Sequence, residues 1–270
     1  MEQKEQRERE RLKAMLTAIN GKELWLETSG EGDPVVMVHG LGGTSTFFDA
    51  VATRLASSSQ VVAFDLEGHG RSPLAGSLSI SGWAEDLGAV LDHVGASSAS
   101  VVSHSMGTVI AQEFAARNPD RVDKLVLLGP IRELPDGGRD GLCERAATVR
   151  EHSMGAVATG IANGGTGPRT KESRPEVVGY VRESLLRQDS EGYAAACEAP
   201  AASVDADQAA ISCPVLLITG TDDGLAPPDK AERISAGFAD SRLEVIDGIG
   251  HWTVIEAGTE VAALVADFLS

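Results

Sequence analysis

A serine hydroxyl attacks a carbonyl well only when a base takes its proton and nearby donors receive the developing negative charge. Several segments of this chain carry residue types for that chemistry. In Val101-Val102-Ser103-His104-Ser105-Met106-Gly107, small residues stand two before and two after Ser105, between an apolar run and a helical one. This is the pattern of a nucleophile elbow, usually G-x-S-x-G, in which the serine sits on a strained strand-to-helix turn. Ser103 replaces the first glycine, and a serine is still small enough for strand and helix to pass closely. His39-Gly40-Leu41-Gly42-Gly43 follows an earlier apolar run. The backbone N–H groups of Leu41 and of Met106, the residue after the serine, are the expected donors to an oxyanion. His39 reads as an organiser of that loop rather than a base.

The acid and the base are expected downstream, in that order. Gly220-Thr221-Asp222-Asp223-Gly224-Leu225-Ala226-Pro227 follows the run Val215 to Thr219. Two carboxylates compete there. Asp223 fits a G-x-x-D-x-x-x-P spacing and is the expected acid; Asp222 reads as a turn or capping residue. His251, in the glycine-rich segment Gly248-Ile249-Gly250-His251-Trp252, is the expected base, taking the Ser105 proton and returning it to the leaving group. The other histidines lack this setting. His93 lies late in a helix, His152 in a later helical region and His69 in a turn. His104 is expected to point away from the elbow by strand alternation.

These residues need elements that bring them together. Leu16 to Ile19 and Leu24 to Thr28 flank Asn20-Gly21, a two-residue hairpin signal. Val35 to Val38, Gln60 to Phe64, Ala99 to Ser103, Lys124 to Leu128, Pro214 to Thr219 and Arg242 to Ile246 read as strands. Their apolar, β-branched character is that of strands buried on both faces. Helices are expected over 51–56, 80–94, 106–118, 229–237 and 260–269. The alternation implies an α/β fold with a mostly parallel central sheet and helices on both faces. From Ile131 to Ala210 no buried strand is apparent, and short helices such as Glu176 to Arg187 and Glu191 to Glu198 take over. The expected organisation is therefore a core of 1–130 and 211–270, with 1–15 as a charged, solvated tail, and a helical cap of 131–210 inserted between sheet strands. A cap so placed lies over the strands' carboxyl ends, where open α/β sheets bind ligands.

Composition narrows the partners. The chain has 270 residues, 42% of them hydrophobic, and a formal net charge of -17. Such a surface repels phosphate backbones, so nucleic acid is not an expected partner. No run of 18 apolar residues and no secretory signal is present, so no membrane partner is expected and the cytoplasm is the expected location. Three cysteines, Cys143, Cys197 and Cys213, without a C-x-x-C, argue against a disulfide framework and a zinc site and read as reduced, buried thiols. The chemistry requires no metal and no organic cofactor. A homo-oligomer is possible but not indicated.

From Leu16 to Leu269 the chain resembles the α/β-hydrolase superfamily; Asp65 to Ser72, reading D-x-x-G-H-G-x-S, is a further landmark. Within it the sequence is most similar to the 3-oxoadipate enol-lactonase group. That likeness runs through Ser103 to Gly107 continuing to Ala111-Gln112-Glu113, Val181 to Leu186, Gly192-Tyr193-Ala194 with Cys197, and Gly220 to Asp223. The resemblance implies a small-molecule ester or lactone substrate, an acyl-Ser105 intermediate and, for the narrower group, a substrate bearing a carboxylate. Phe47, Arg132 and Trp252 are expected to meet the substrate beside Leu41 and Met106, with Arg132 facing a carboxylate. An aspartate nucleophile, as in haloalkane dehalogenases and epoxide hydrolases, does not fit Ser105. Cofactor-free perhydrolases (non-haem haloperoxidases), carbon–carbon bond hydrolases and non-turnover receptors of the same fold share the three residues.

Overall fold

Asn20 and Gly21 take positive φ of 51° and 77°. Two consecutive left-handed residues close a tight hairpin between β1 (Lys13–Ile19) and β2 (Lys22–Ser29). The computed structural model describes residues 13–132 and 136–270. Most of the expected charged tail thus lies outside the described residues, but its last three do not. Lys13, Ala14 and Met15 pair with Thr28, Glu27 and Leu26, so the strand begins inside the stretch expected to be solvated. Hairpin register carries the pairing past the point where hydrophobicity fades.

The other strands are β3 (Asp33–Val38), β4 (Ser59–Phe64), β5 (Ala99–His104), β6 (Val122–Leu128), β7 (Val215–Gly220) and β8 (Ser241–Ile246). They form an eight-stranded sheet in the order β1-β2-β4-β3-β5-β6-β7-β8. β1 and β2 pair antiparallel, as do β2 and β4; the remaining pairs are parallel. The chain passes from β3 outward to β4 and then back to β5 on the other side. That reversal opens a crevice at the carboxyl ends of β3 and β5, where the two loops expected to hold Leu41 and Ser105 emerge.

Helices α1 (Asp49–Leu55), α2 (Ile80–His93) and α3 (Met106–Arg117) join the strands from β3 to β6. Between β6 and β7 the chain forms α4 (Asp136–His152), α5 (Ala158–Gly165), α6 (Pro168–Ser173), α7 (Pro175–Leu186) and α8 (Ser190–Ala201). Arg150 on α4 joins α8 through Glu191 and Glu198, at 2.8 Å and 2.5 Å. α9 (Pro228–Ser235) lies between β7 and β8, and α10 (Thr253–Glu256) and α11 (Gly258–Leu269) follow β8.

Strand alternation sorts the apolar residues to two faces. Val36, Val38, Val101, Leu125, Leu127 and Leu217 pack under α2 and α3, against Trp83, Leu87, Ile110 and Phe114. Val35, Met37, Val102, Val126, Leu128 and Ile218 face α1 and α11, against Val51, Val261 and Val265. Both faces are buried, which is why these strands read as continuous apolar runs. The cysteines are unpaired: Cys197 is buried, Cys213 is half-buried, and Cys143, expected to be buried, is exposed on α4. Cys143 sits on the outer side of an amphipathic helix, a position that its residue type alone does not reveal. No helix among the described residues is long and apolar enough to cross a membrane.

Candidate active site

Ser105 holds φ 53° and ψ -123° at the junction of β5 and α3. A non-glycine residue there is strained by about 1–3 kcal/mol and persists only when its surroundings fix it. Its N–H donates to the Leu128 carbonyl at 2.9 Å, and its carbonyl accepts from Thr108 N–H at 2.8 Å. Gly107 is required by close approach: a Cβ there would lie 2.3 Å from the Val38 carbonyl oxygen. Ser103, fully buried where the usual pattern has glycine, satisfies its hydroxyl by donating across to the Val126 carbonyl, at 2.9 Å.

The expected acid and base converge on this serine. The Ser105 hydroxyl lies 2.8 Å from His251 Nε2, and His251 Nδ1 lies 2.9 Å from Asp223 Oδ2. The network assigns Nδ1–H as donor to the carboxylate, leaving Nε2 to accept the serine proton. Asp223 Oδ1 also accepts the N–H groups of Leu225 and Ala226, both at 2.8 Å. Burial alone would raise the Asp223 pKa; the His251 charge, its hydrogen bond and the two backbone donors outweigh it and hold the carboxyl below its ordinary value. Asp222 is exposed and does not bond to His251.

The His39 to Gly43 segment, the expected oxyanion loop, is held by His39. That ring donates from Nδ1 to the Gly40 carbonyl at 2.8 Å, while its Nε2 accepts Leu66 N–H at 2.9 Å. Both nitrogens are thus committed in a neutral tautomer, and burial pushes the His39 pKa down to about 4. Asp65 fixes the neighbouring chain by accepting the N–H groups of Ser45 and Arg71, at 2.7 Å and 2.9 Å. Leu41 and Met106 both border the cavity at Ser105. Met106 opens α3, so its N–H has no intrahelical acceptor. A Cβ on Gly40 would lie 2.7 Å from the Ser105 Cβ, so this loop is pressed against the serine.

Ser105 and His251 open into a cavity of about 590 Å³ between the sheet and the inserted helices. Leu142, Ile161, Tyr193 and Trp252 supply apolar walls, and Gly137, Gly141, Gly160 and Gly164 leave space. Arg145, half-buried on α4, is the only permanently charged residue among the described residues lining it, and it makes no ion pair among them. It stands near Tyr193: burial raises the Tyr193 pKa and the Arg145 charge opposes that rise. A separate surface groove, bordered by Leu74, Glu113 and Val204, contains none of the three converging residues.

Of the expected substrate contacts, Leu41, Met106 and Trp252 line the cavity, but Phe47 and Arg132 do not. Phe47 packs behind the wall, its ring edge-on to Trp252 at 6.0 Å between centroids. Arg132 is displaced because Ile131 is tied to α3. The Ile131 carbonyl accepts from Gln112 Nε2 at 2.9 Å and its N–H donates to Thr108 Oγ1 at 2.9 Å, which leaves Ile131 in the wall. The cation at the cavity is Arg145, one of several arginines on the inserted helices that sequence spacing does not distinguish. His104 makes a contact that strand alternation alone does not foretell. Its Nε2 donates to the His251 carbonyl at 2.8 Å, and the two rings lie 5.3 Å apart. Alternation gives the face, but the His251 loop folds over the end of β5 and meets it. Burial, then the nearby His251 charge, lowers the His104 pKa to about 3 and keeps it neutral.

Residues 33–258 match the family of the alpha/beta hydrolase fold. The chain belongs to that family. Among its relatives is 2-hydroxymuconate semialdehyde hydrolase of Pseudomonas sp., 30% identical over 91% of this chain and 89% of the relative. Similar solved structures include a thermophilic esterase from Thermogutta terrifontis, with a TM-score of 0.89 and 28% identity over 96% of this chain and 98% of that one. The enol-lactonase of Burkholderia xenovorans also gives 0.89, with 26% identity over 94% of this chain and 99% of that one. In this α/β-hydrolase the segments that carry Leu41, Ser105, Asp223 and His251 all emerge at the carboxyl edge of the sheet.

Proposed function

We propose that this α/β-hydrolase is a serine hydrolase of carboxylic esters or lactones, acting through an acyl-Ser105 intermediate. The observation that carries the reading is the unbroken hydrogen-bond chain from the Ser105 hydroxyl through His251 to Asp223, at the floor of an apolar cavity. His251 Nε2 takes the serine proton as Oγ bonds to the substrate carbonyl carbon. The Leu41 and Met106 N–H groups hold the oxyanion. The returning proton leaves with the alcohol, or with the ring oxygen of a lactone, and water then repeats the sequence to release the acid. The inserted helices, within 131–210, serve as the cap that selects the acyl group.

The finer reading is an enol-lactonase-like preference for a substrate carrying its own carboxylate. Arg145 supports it, as a cation in an apolar, low-dielectric wall where an anion gains more than in water. The test is a panel of esters and lactones with and without an acyl-chain carboxylate, with product analysis, on wild type, Ser105→Ala and Arg145→Met. Ser105→Ala should lose turnover with an unchanged circular dichroism spectrum; retained turnover would remove Ser105 as nucleophile. Arg145→Met should raise KM at least tenfold for the carboxylate-bearing compounds alone. An equal loss on neutral esters would reject the finer reading, and one acylation per chain without turnover would indicate a receptor instead.

A further inference from the structure

The loop that carries His251 is held by a carboxylate with no part in the proposed reaction. Glu256 ends α10, five positions after the base, and is only 3% exposed. Its oxygens face backbone rather than a cation. Gly250 N–H reaches both of them at 3.1 Å, and Gly167 N–H donates to Oε2 at 2.9 Å. Gly250 immediately precedes the base, whereas Gly167 lies in the turn between α5 and α6 of the inserted helices. The two segments also touch directly, as His251 N–H donates to the Gly165 carbonyl at 2.7 Å. A Cβ on Gly250 would lie 2.5 Å from both the Gly165 oxygen and the Gly167 nitrogen, so only glycine permits this approach. Arg174, before α7, donates to the Glu256 backbone carbonyl. A buried carboxylate is costly unless its oxygens are hydrogen-bonded. Here those bonds form only when the two segments are in register.

We propose that Glu256 is a positioning residue that fastens the Gly165–Gly167 turn to the His251 loop, so that the cavity wall and the base share one geometry. Gly165 and His251 both line the cavity, and Glu256 does not. The proposal rests on Ser105 and His251 acting as nucleophile and base. Removing the carboxylate leaves two buried N–H groups unsatisfied and lets Nε2 drift from the serine hydroxyl, and a displacement of about 1 Å can cost on the order of 10²-fold in rate.

The experiment measures kcat and KM on a p-nitrophenyl ester, and the rate at which a p-nitrophenyl phosphonate labels Ser105, for wild type, Glu256→Ala, Glu256→Asp and Glu256→Gln. Assays run well below each variant's Tm. Glu256→Ala should lower kcat about ten- to hundredfold with KM changed less than threefold, and slow labelling by the same factor. Glu256→Gln, which keeps one acceptor oxygen, should recover part of that rate, and Glu256→Asp, one methylene short, should lie below it. A folded Glu256→Ala or Glu256→Asp with wild-type kcat and labelling rate would overturn the proposal, because a purely stabilising role moves Tm and not these rates. In wild type, amide exchange at Gly167 and Gly250 should be slow; rapid exchange would overturn it without any variant. Failure of wild type to label at Ser105 would instead reject the nucleophile assignment.

Discussion

At the scale of the residue, the site depends on which group holds a proton. Asp223 is kept ionised against burial by three donors, and its partner nitrogen is thereby kept as N–H, so the other His251 nitrogen is free to accept. Asparagine at 223 would present an N–H₂ donor to Nδ1 and favour the wrong tautomer. Asp223→Asn should therefore lower kcat by roughly 10⁴-fold, whereas Asp222→Asn should stay within about twofold, since Asp222 is exposed; steady-state kinetics on one activated ester decide the ranking. The spacing from Gly220 to Pro227 already favoured Asp223, because a strand end fixes where a short loop can reach. Arg145, His104 and Glu256 were not legible in that way. Their places depend on contacts between segments distant in sequence, such as His104 with His251.

At the scale of the element, strands and helices followed local pattern closely, while the inserted helices did not reveal what they enclose. α4 places Gly137, Gly141 and Arg145 four residues apart on one face, and α5 places Gly160 and Gly164 likewise. Added Cβ atoms at Gly137, Gly141, Gly160 and Gly164 would meet nothing within 4 Å. These glycines weaken their helices and leave volume. Gly141→Ala should then stabilise the chain by roughly 0.5–1 kcal/mol, read as a rise in Tm. Gly141→Leu should fill the cavity and lower kcat/KM for long acyl esters about tenfold or more while sparing acetate esters. An unchanged chain-length profile in Gly141→Leu would show that the substrate does not use this side of the cavity.

At the scale of the whole molecule, three fully buried histidines tie stability to pH. Burial lowers His39 to about 4 and His69 and His104 to about 3. Their folded pKa values lie below the unfolded value of about 6.5, so the unfolded chain binds more protons between these limits. The contribution is complete above pH 6.5 and is lost progressively as pH falls toward 4, by up to about 1.4 kcal/mol per pH unit for each histidine. Asp49 and Asp86, whose carboxyl pKa values burial raises, act in the opposite direction. Urea unfolding should give clearly lower stability at pH 5 than at pH 7.5; equal stability would contradict neutral buried histidines. The order of strands and helices, the elbow pattern, the glycine loop and the candidate acid and base are legible in the sequence, because each is written within a few consecutive residues. It took tertiary packing to place Arg145 rather than Arg132 at the cavity, to set Phe47 behind Trp252, and to let Glu256 join the His251 loop to the inserted helices. Those outcomes depend on how separate segments pack, which no local spacing encodes.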